Sequence, residues 1–248
     1  MPPNAVTRRL PYPPTAPGPT TAAAPGLTTA VTAGPAVAAA RPAQARPGVS
    51  PDIVDPARGG GRVVSLTFDD GPNPVDTPRL LDVLRRHRIT AVFCLVGDQV
   101  DAHPEVVGQI VAAGHPLGNH SMRHDDMSGW SVERIAADLR RTNEAIHRAV
   151  PGTRIRYFRA PYGAWGRTPA VAASLGMRPL GWRLAIGDWE PPGADELARR
   201  LLDGITPGAV VLLHDGGGDR SQTVDAVARA VPVLRARRWR FALPEHRA

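Results

Sequence analysis

Two histidines four residues apart, one helical turn, in the run Gly118-Asn119-His120-Ser121-Met122-Arg123-His124, are spaced to place two imidazoles on one ion. Upstream, the apolar run Val63 to Phe68 ends in two adjacent carboxylates, Asp69 and Asp70, followed by Gly71-Pro72. That is where a buried strand meets solvent, and where a chain commonly does its chemistry. Carboxylate oxygens and neutral imidazole nitrogens are the donors that a hydrolytic divalent ion accepts while keeping positions open for water. The set therefore points to metal-assisted hydrolysis. Further down the chain, His214 closes the apolar run Val210 to Leu213, where a histidine is either an acid–base group or a strand-end surface residue.

Composition removes several other chemistries. All 30 Lys+Arg residues are arginine, so Schiff-base catalysis and the P-loop, which both need a lysine, are excluded. Cys94 is the single cysteine and sits in an apolar run, so there is no intrachain disulfide and no thiolate-rich zinc module. The net charge of +7 is unevenly spread: residues 1–62 carry six arginines against two acids, and the remaining 24 arginines face 21 acids. A near-balanced folded part argues against nucleic acid as the partner. No stretch is long and apolar enough to span a membrane.

These residues need a frame. Short apolar runs at 63–68, 91–96, 156–160, 177–182, 210–213 and 239–243 predict strands. Amphipathic segments fall between them: one capped by Thr77 and starting at Pro78, one capped by Ser131, and two more over 195–202 and 223–237. Strands alternating with helices predict a mostly parallel sheet in an α/β domain. Chemistry-bearing turns that follow strands favour a distorted (β/α) barrel, with its site at the strands' C-terminal ends, over a doubly wound open sheet. At 248 residues one catalytic domain over 61–248 is expected. Residues 1–60, rich in Pro, Ala, Thr and Gly, are expected to be a disordered segment or a degenerate export signal.

Five strings in order, Thr67-Phe68-Asp69-Asp70-Gly71-Pro72, His120-Ser121-Met122-Arg123-His124, Arg159-Ala160-Pro161-Tyr162-Gly163, Asp188-Trp189 and Leu212-Leu213-His214-Asp215, resemble the motifs of the polysaccharide deacetylases, carbohydrate esterase family 4. The resemblance implies a barrel that hydrolyses acetyl groups, most often N-acetyl groups, from carbohydrate. It implies Asp70, His120 and His124 as ligands of a divalent ion. Zinc is expected, although cobalt, nickel or manganese would suit the same oxygen and nitrogen donors. It further implies Asp69 as general base held by Arg159, the Tyr162 backbone N–H as an oxyanion donor, and His214 as general acid. Trp189 and Leu213 or its neighbour would line the acetyl pocket, and a monomer is expected.

One position departs from the pattern. Where the family usually has a carboxylate three residues before the Asp-Trp pair, this chain has Ala185. His214 could then be a weaker acid, turn to Asp188, or serve an O-acetyl ester in place of an amide. Peptidoglycan, chitooligosaccharides, acetylated xylan and a small acetylated metabolite all present the same reacting group. The resemblance favours an extracellular or envelope location, and an intracellular one stays open.

Overall fold

The computed structural model describes residues 49–245. Residues 1–48, which hold most of the expected disordered or signal segment, lie outside the described residues. Eight strands and seven helices follow one another as β1 (Val63–Gly71), α1 (Asp76–Arg86), β2 (Val92–Leu95), α2 (Gly97–Ala102), α3 (Pro104–Ala112), β3 (Leu117–Asn119), α4 (Val132–Ala149), β4 (Ile155–Phe158), α5 (Thr168–Ser174), β5 (Arg178–Pro179), β6 (Leu184–Ala185), α6 (Ala194–Gly204), β7 (Ala209–His214), α7 (Ser221–Ala236) and β8 (Arg240–Phe241). All strand pairs are parallel, in the order β5-β4-β3-β2-β1-β7-β6, with β8 paired to the start of β1.

Alternation along β1 explains how one strand serves a core and a site together. Val64, Leu66 and Phe68 point into the large apolar core shared with the helices, beside Leu80, Leu84, Ile110 and Leu234. Ser65, Thr67 and Asp69 point the other way and are equally buried. That second face carries a small apolar cluster of Val92, Cys94, Tyr157, Leu180 and Val210, and no helical residue joins it. Helices thus cover one face of the curled sheet only, as in a barrel and unlike a doubly wound sheet. The sheet is open between β5 and β6, so the barrel is distorted as expected.

Several boundaries differ from the sequence expectation for local reasons. Pairing begins before residue 61, since Val54 bridges Leu180 and Ala57 bridges Pro244, so the folded part starts earlier than the composition change near residue 60 suggests. Helix α1 starts at Asp76, before Pro78. Asn73 Oδ1 accepts the Val75 and Asp76 N–H groups (2.8 and 2.9 Å), and Thr77 lies inside the first turn. Ser131 does cap α4, accepting from Arg134 N at 3.3 Å. Strand β3 escaped the periodicity because two of its three residues, Gly118 and Asn119, are poor strand formers. Glycine is needed there: a Cβ at 118 would stand 2.8 Å from Cys94 Sγ. No helix among the described residues is long and apolar enough to cross a membrane.

Candidate active site

The C-terminal ends of β1, β3, β4 and β7 meet at one mouth, and each delivers part of the candidate site. From β1 come Asp69 and Asp70, neighbours that must face different partners. The turn between them is made by Asp70 itself, whose φ of 70° puts a non-glycine residue in the left-handed region. His120 follows β3 directly. The His120–His124 spacing reads as one helical turn in the sequence, but the segment is a loop here, shaped by left-handed Ser121 (φ 66°) and His124 (φ 59°). The spacing was informative although the helix is absent.

Asp70, His120 and His124 converge. Asp70 Oδ1 lies 3.4 Å from His120 Nε2 and 3.3 Å from His124 Nε2, and all three residues are buried. The same Oδ1 makes no hydrogen bond. A buried carboxylate oxygen facing two imidazole nitrogens is the donor set of a divalent-ion site, so these residues fit the ion the sequence implied. His120 is oriented for this by its other nitrogen, since Nδ1–H donates to the Arg159 carbonyl at 2.7 Å. Burial would raise the Asp70 carboxyl, but the histidines His120, His214 and His124 outweigh it and hold it well below the usual carboxylate range. Burial pushes His124 down to about 4, which keeps its ring neutral and able to ligate.

Asp69 turns to Arg159. Arg159 Nη1 donates to Asp69 Oδ1 at 2.7 Å and to Thr67 Oγ1 at 2.9 Å, while Nε and Nη2 donate to the Leu180 and Gly181 carbonyls. A guanidinium that is 1% exposed and bonded on every side cannot swing away, so the Asp69 carboxylate is fixed. Its free oxygen, Oδ2, points to the ion-binding side, 3.7 Å from His120 Nε2.

His214, at the end of β7, pairs in register with Asp69. Asp188 accepts from it twice: from the ring at Nδ1 and from the backbone N–H, both at 2.8 Å. Thr223 donates to the same carboxylate at 3.0 Å. Burial would lower the His214 ring, but the Asp188 charge and hydrogen bond raise it to about 9. Ala185 is exposed on β6 and takes no part. Of the alternatives left open by Ala185, the geometry realises the one in which Asp188 supports the histidine.

The aromatic and apolar residues divide. The Trp189 ring stands 5.7 Å from that of His214, and the Tyr162 ring 4.5 Å from that of His124, with Tyr162 itself left-handed at φ 59°. Leu213 does not reach the site. It is fully buried in the helix-side core opposite Phe68, and its neighbour Leu212 shares the face of His214, as strand alternation requires. Followed by Gly216-Gly217-Gly218, Asp215 reads in the sequence as a turn-shaping residue, and the structure gives it another place. It is wholly buried, takes the Thr77 hydroxyl at 2.5 Å, and burial raises its carboxyl to about 7. No periodicity marks such a residue; its place under the Gly71 turn is set by tertiary contacts alone.

The chain is similar to known proteins over most of its described residues. The polysaccharide deacetylase family model matches residues 57–180. A chitooligosaccharide deacetylase of Rhizobium leguminosarum bv. trifolii is 38% identical over 195 residues, 74% of this chain and 90% of that protein. A peptidoglycan-N-acetylglucosamine deacetylase of Bacillus cereus is 34% identical over 183 residues, covering 73% and 85%. Among solved structures, a CE4 family pseudoenzyme from Bacillus anthracis superimposes with a TM-score of 0.71 at 28% identity, over 78% of this chain and 67% of that one. With half of its length under the family model and the paired aspartates, paired histidines and terminal histidine gathered at one barrel mouth, the chain belongs to the polysaccharide deacetylase family.

Proposed function

We propose that this protein is a divalent-ion-dependent hydrolase that removes acetyl groups from N-acetylglucosamine-containing oligomers or polymers such as chitooligosaccharide or peptidoglycan. The observation that carries the proposal is the juxtaposition of the Asp70–His120–His124 cluster with a carboxylate clamped by Arg159 on one side and a carboxylate-paired histidine on the other. The deacetylase activities for which the bacterial relatives are named support it.

In this reading Asp70, His120 and His124 hold the ion, with zinc as the first choice. When bound, the ion supplies Lewis-acid polarisation of the acetyl carbonyl and makes water a better nucleophile. Asp69 takes the proton from the attacking water at Oδ2, because Oδ1 is committed to Arg159. Arg159 holds that carboxylate aimed through its charge-assisted bond. The Tyr162 backbone N–H donates to the oxyanion of the tetrahedral intermediate. His214, protonated and held by Asp188, gives its Nε2 proton to the departing amine nitrogen, so acetate and the free amine result. Trp189 walls the acetyl pocket and Leu212 offers apolar contact from β7. Domain-wise, the catalytic unit begins by Val54, where pairing starts.

Acetate release from N-acetylated chitooligosaccharides, peptidoglycan and acetylxylan tests this, with and without chelator and added zinc. The expected result is release from an N-acetylated substrate that stops on chelation, returns with zinc, and drops by about 100-fold or more in Asp69→Asn. Release that is insensitive to both chelator and Asp69→Asn would overturn the proposal. So would full activity on acetylxylan alone, which would assign an O-acetyl esterase instead.

A further inference from the structure

Arg220 lies just before α7 and is 7% exposed, yet no carboxylate side chain pairs with its guanidinium among the described residues. Its donors all go to main-chain oxygens: Nε to the Gly216 carbonyl at 2.7 Å, Nη2 to the Gly217 carbonyl at 3.1 Å, and Nη1 to the Asp188 carbonyl at 3.2 Å. Its own N–H donates to Asp76 Oδ2 at 2.8 Å, which ties the same point to the start of α1. Burying a cation without a counter-charge is costly, and a methionine of similar length would fill the volume with less desolvation. The position therefore has a use other than filling space.

The three carbonyls belong to the two segments that flank the candidate site. Gly216 and Gly217 press on Asp70. A Cβ at 216 would collide with the Asp70 carbonyl, and one at 217, where φ is +71°, would stand 2.6 Å from Asp70 Oδ2. The Asp215 and Gly216 N–H groups both donate to the Asp69 carbonyl, at 3.1 and 3.3 Å. Asp188 carries the carboxylate that holds His214. Nothing else among the described hydrogen bonds joins the glycine loop to the Asp188 segment.

We infer that Arg220 is a positioning residue: by gathering the carbonyls of Gly216, Gly217 and Asp188 around one guanidinium, it seats the glycine loop behind Asp70 and fixes the distance from Asp70 to the His214–Asp188 pair. The inference rests on reading Asp70, His120 and His124 as the ion site. Its planar fork matters as much as its charge, because an ammonium on a shorter stem cannot reach three divergent carbonyls at once.

The test titrates metal-free full-length protein with zinc against a chromophoric chelator, for wild type, Arg220→Lys, Arg220→Met and Asp70→Ala. Both Arg220 variants are expected to bind zinc about 10- to 100-fold more weakly than wild type, the range usual for groups that orient metal ligands. Their kcat on N-acetylated chitooligosaccharide should fall about tenfold or more with KM within about twofold, since substrate contacts are untouched. Zinc affinity and kcat in folded Arg220→Lys within about twofold of wild type would overturn the inference. If Arg220→Met does not fold, Arg220→Lys alone decides. Wild type binding zinc no more tightly than Asp70→Ala would overturn the ion-site reading and this inference with it, whereas tight wild-type binding that ignores Arg220 overturns this inference alone.

Discussion

Replacing Asp188 by asparagine should disconnect His214 from the charge that keeps it protonated. His214 is only 8% exposed, and burial alone drives a histidine below its ordinary 6.5; Asp188 is the largest of the influences that bring it to about 9 instead. The gap between 6.5 and about 9 corresponds to roughly 3 kcal/mol in favour of the imidazolium. At pH 7.5 a group titrating near 9 is almost wholly protonated, and one titrating at or below 6.5 is protonated about a tenth of the time or less. Asp188→Asn should therefore lose about tenfold in kcat/KM at pH 7.5 on an N-acetylated oligosaccharide, and the alkaline limb of its pH profile should move from near 9 to near or below 6.5. An aryl acetate, whose leaving group needs no proton, should lose far less. Stability gives a second readout. The raised folded-state value means that the His214–Asp188 pair stabilises the protein fully below the unfolded value of 6.5 and that this contribution is lost as pH rises through about 9. In chelator, wild type should thus lose stability to urea between those values and Asp188→Asn should stay nearly flat. An alkaline limb still near 9 in Asp188→Asn, or equal losses on amide and aryl ester, would refute the assignment of Asp188 as the partner that makes His214 an acid.

Two further expectations follow from buried partners. Arg159→Met strands the Asp69 carboxylate, which is 2% exposed, and should cost about 3–5 kcal/mol of unfolding free energy by urea titration; a loss below about 1 kcal/mol would mean that Asp69 finds another donor. Thr77→Val removes the hydroxyl that donates to Asp215 Oδ2 and accepts the Asn73 N–H (2.8 Å), and should cost about 1–3 kcal/mol by urea titration; Asn73 Oδ1 still accepts the Val75 and Asp76 N–H groups, so helix content should change little. A loss of α1 signal in circular dichroism would contradict that division of labour.

What the sequence made legible were the residues whose chemistry is local in the chain. The adjacent aspartates before Gly-Pro and the strand-ending His214 each follow a recognisable apolar run, and the histidine pair stood out by its spacing alone. The long strand β1 and helices α4 and α7 were equally plain, being strongly periodic. Two of the short strands were not: β3 and β6 exist because longer neighbours pair with them, and neither Gly118-Asn119 nor Leu184-Ala185 advertises a strand. Between Leu213 and its neighbour, parity decides which side chain faces the site. His214 and Leu212 share a face, so the residue next to the histidine had to point into the core. Arg220, one arginine among many, carried no signal at all, since its role arises only where three main-chain oxygens happen to converge.

Asp70, Ser121, His124 and Tyr162 are non-glycine residues in left-handed backbone, and all four lie at the candidate site. Each such residue costs on the order of 1 kcal/mol relative to an ordinary conformation, so together they withhold a noticeable part of the few kcal/mol by which a domain stays folded. The rest of the barrel must overdetermine these angles, and the ion that the cluster suits would share in holding them. Selection or engineering for heat resistance alone would therefore tend to relax these four positions first, and a more durable but chemically blunted domain is the outcome to expect from it.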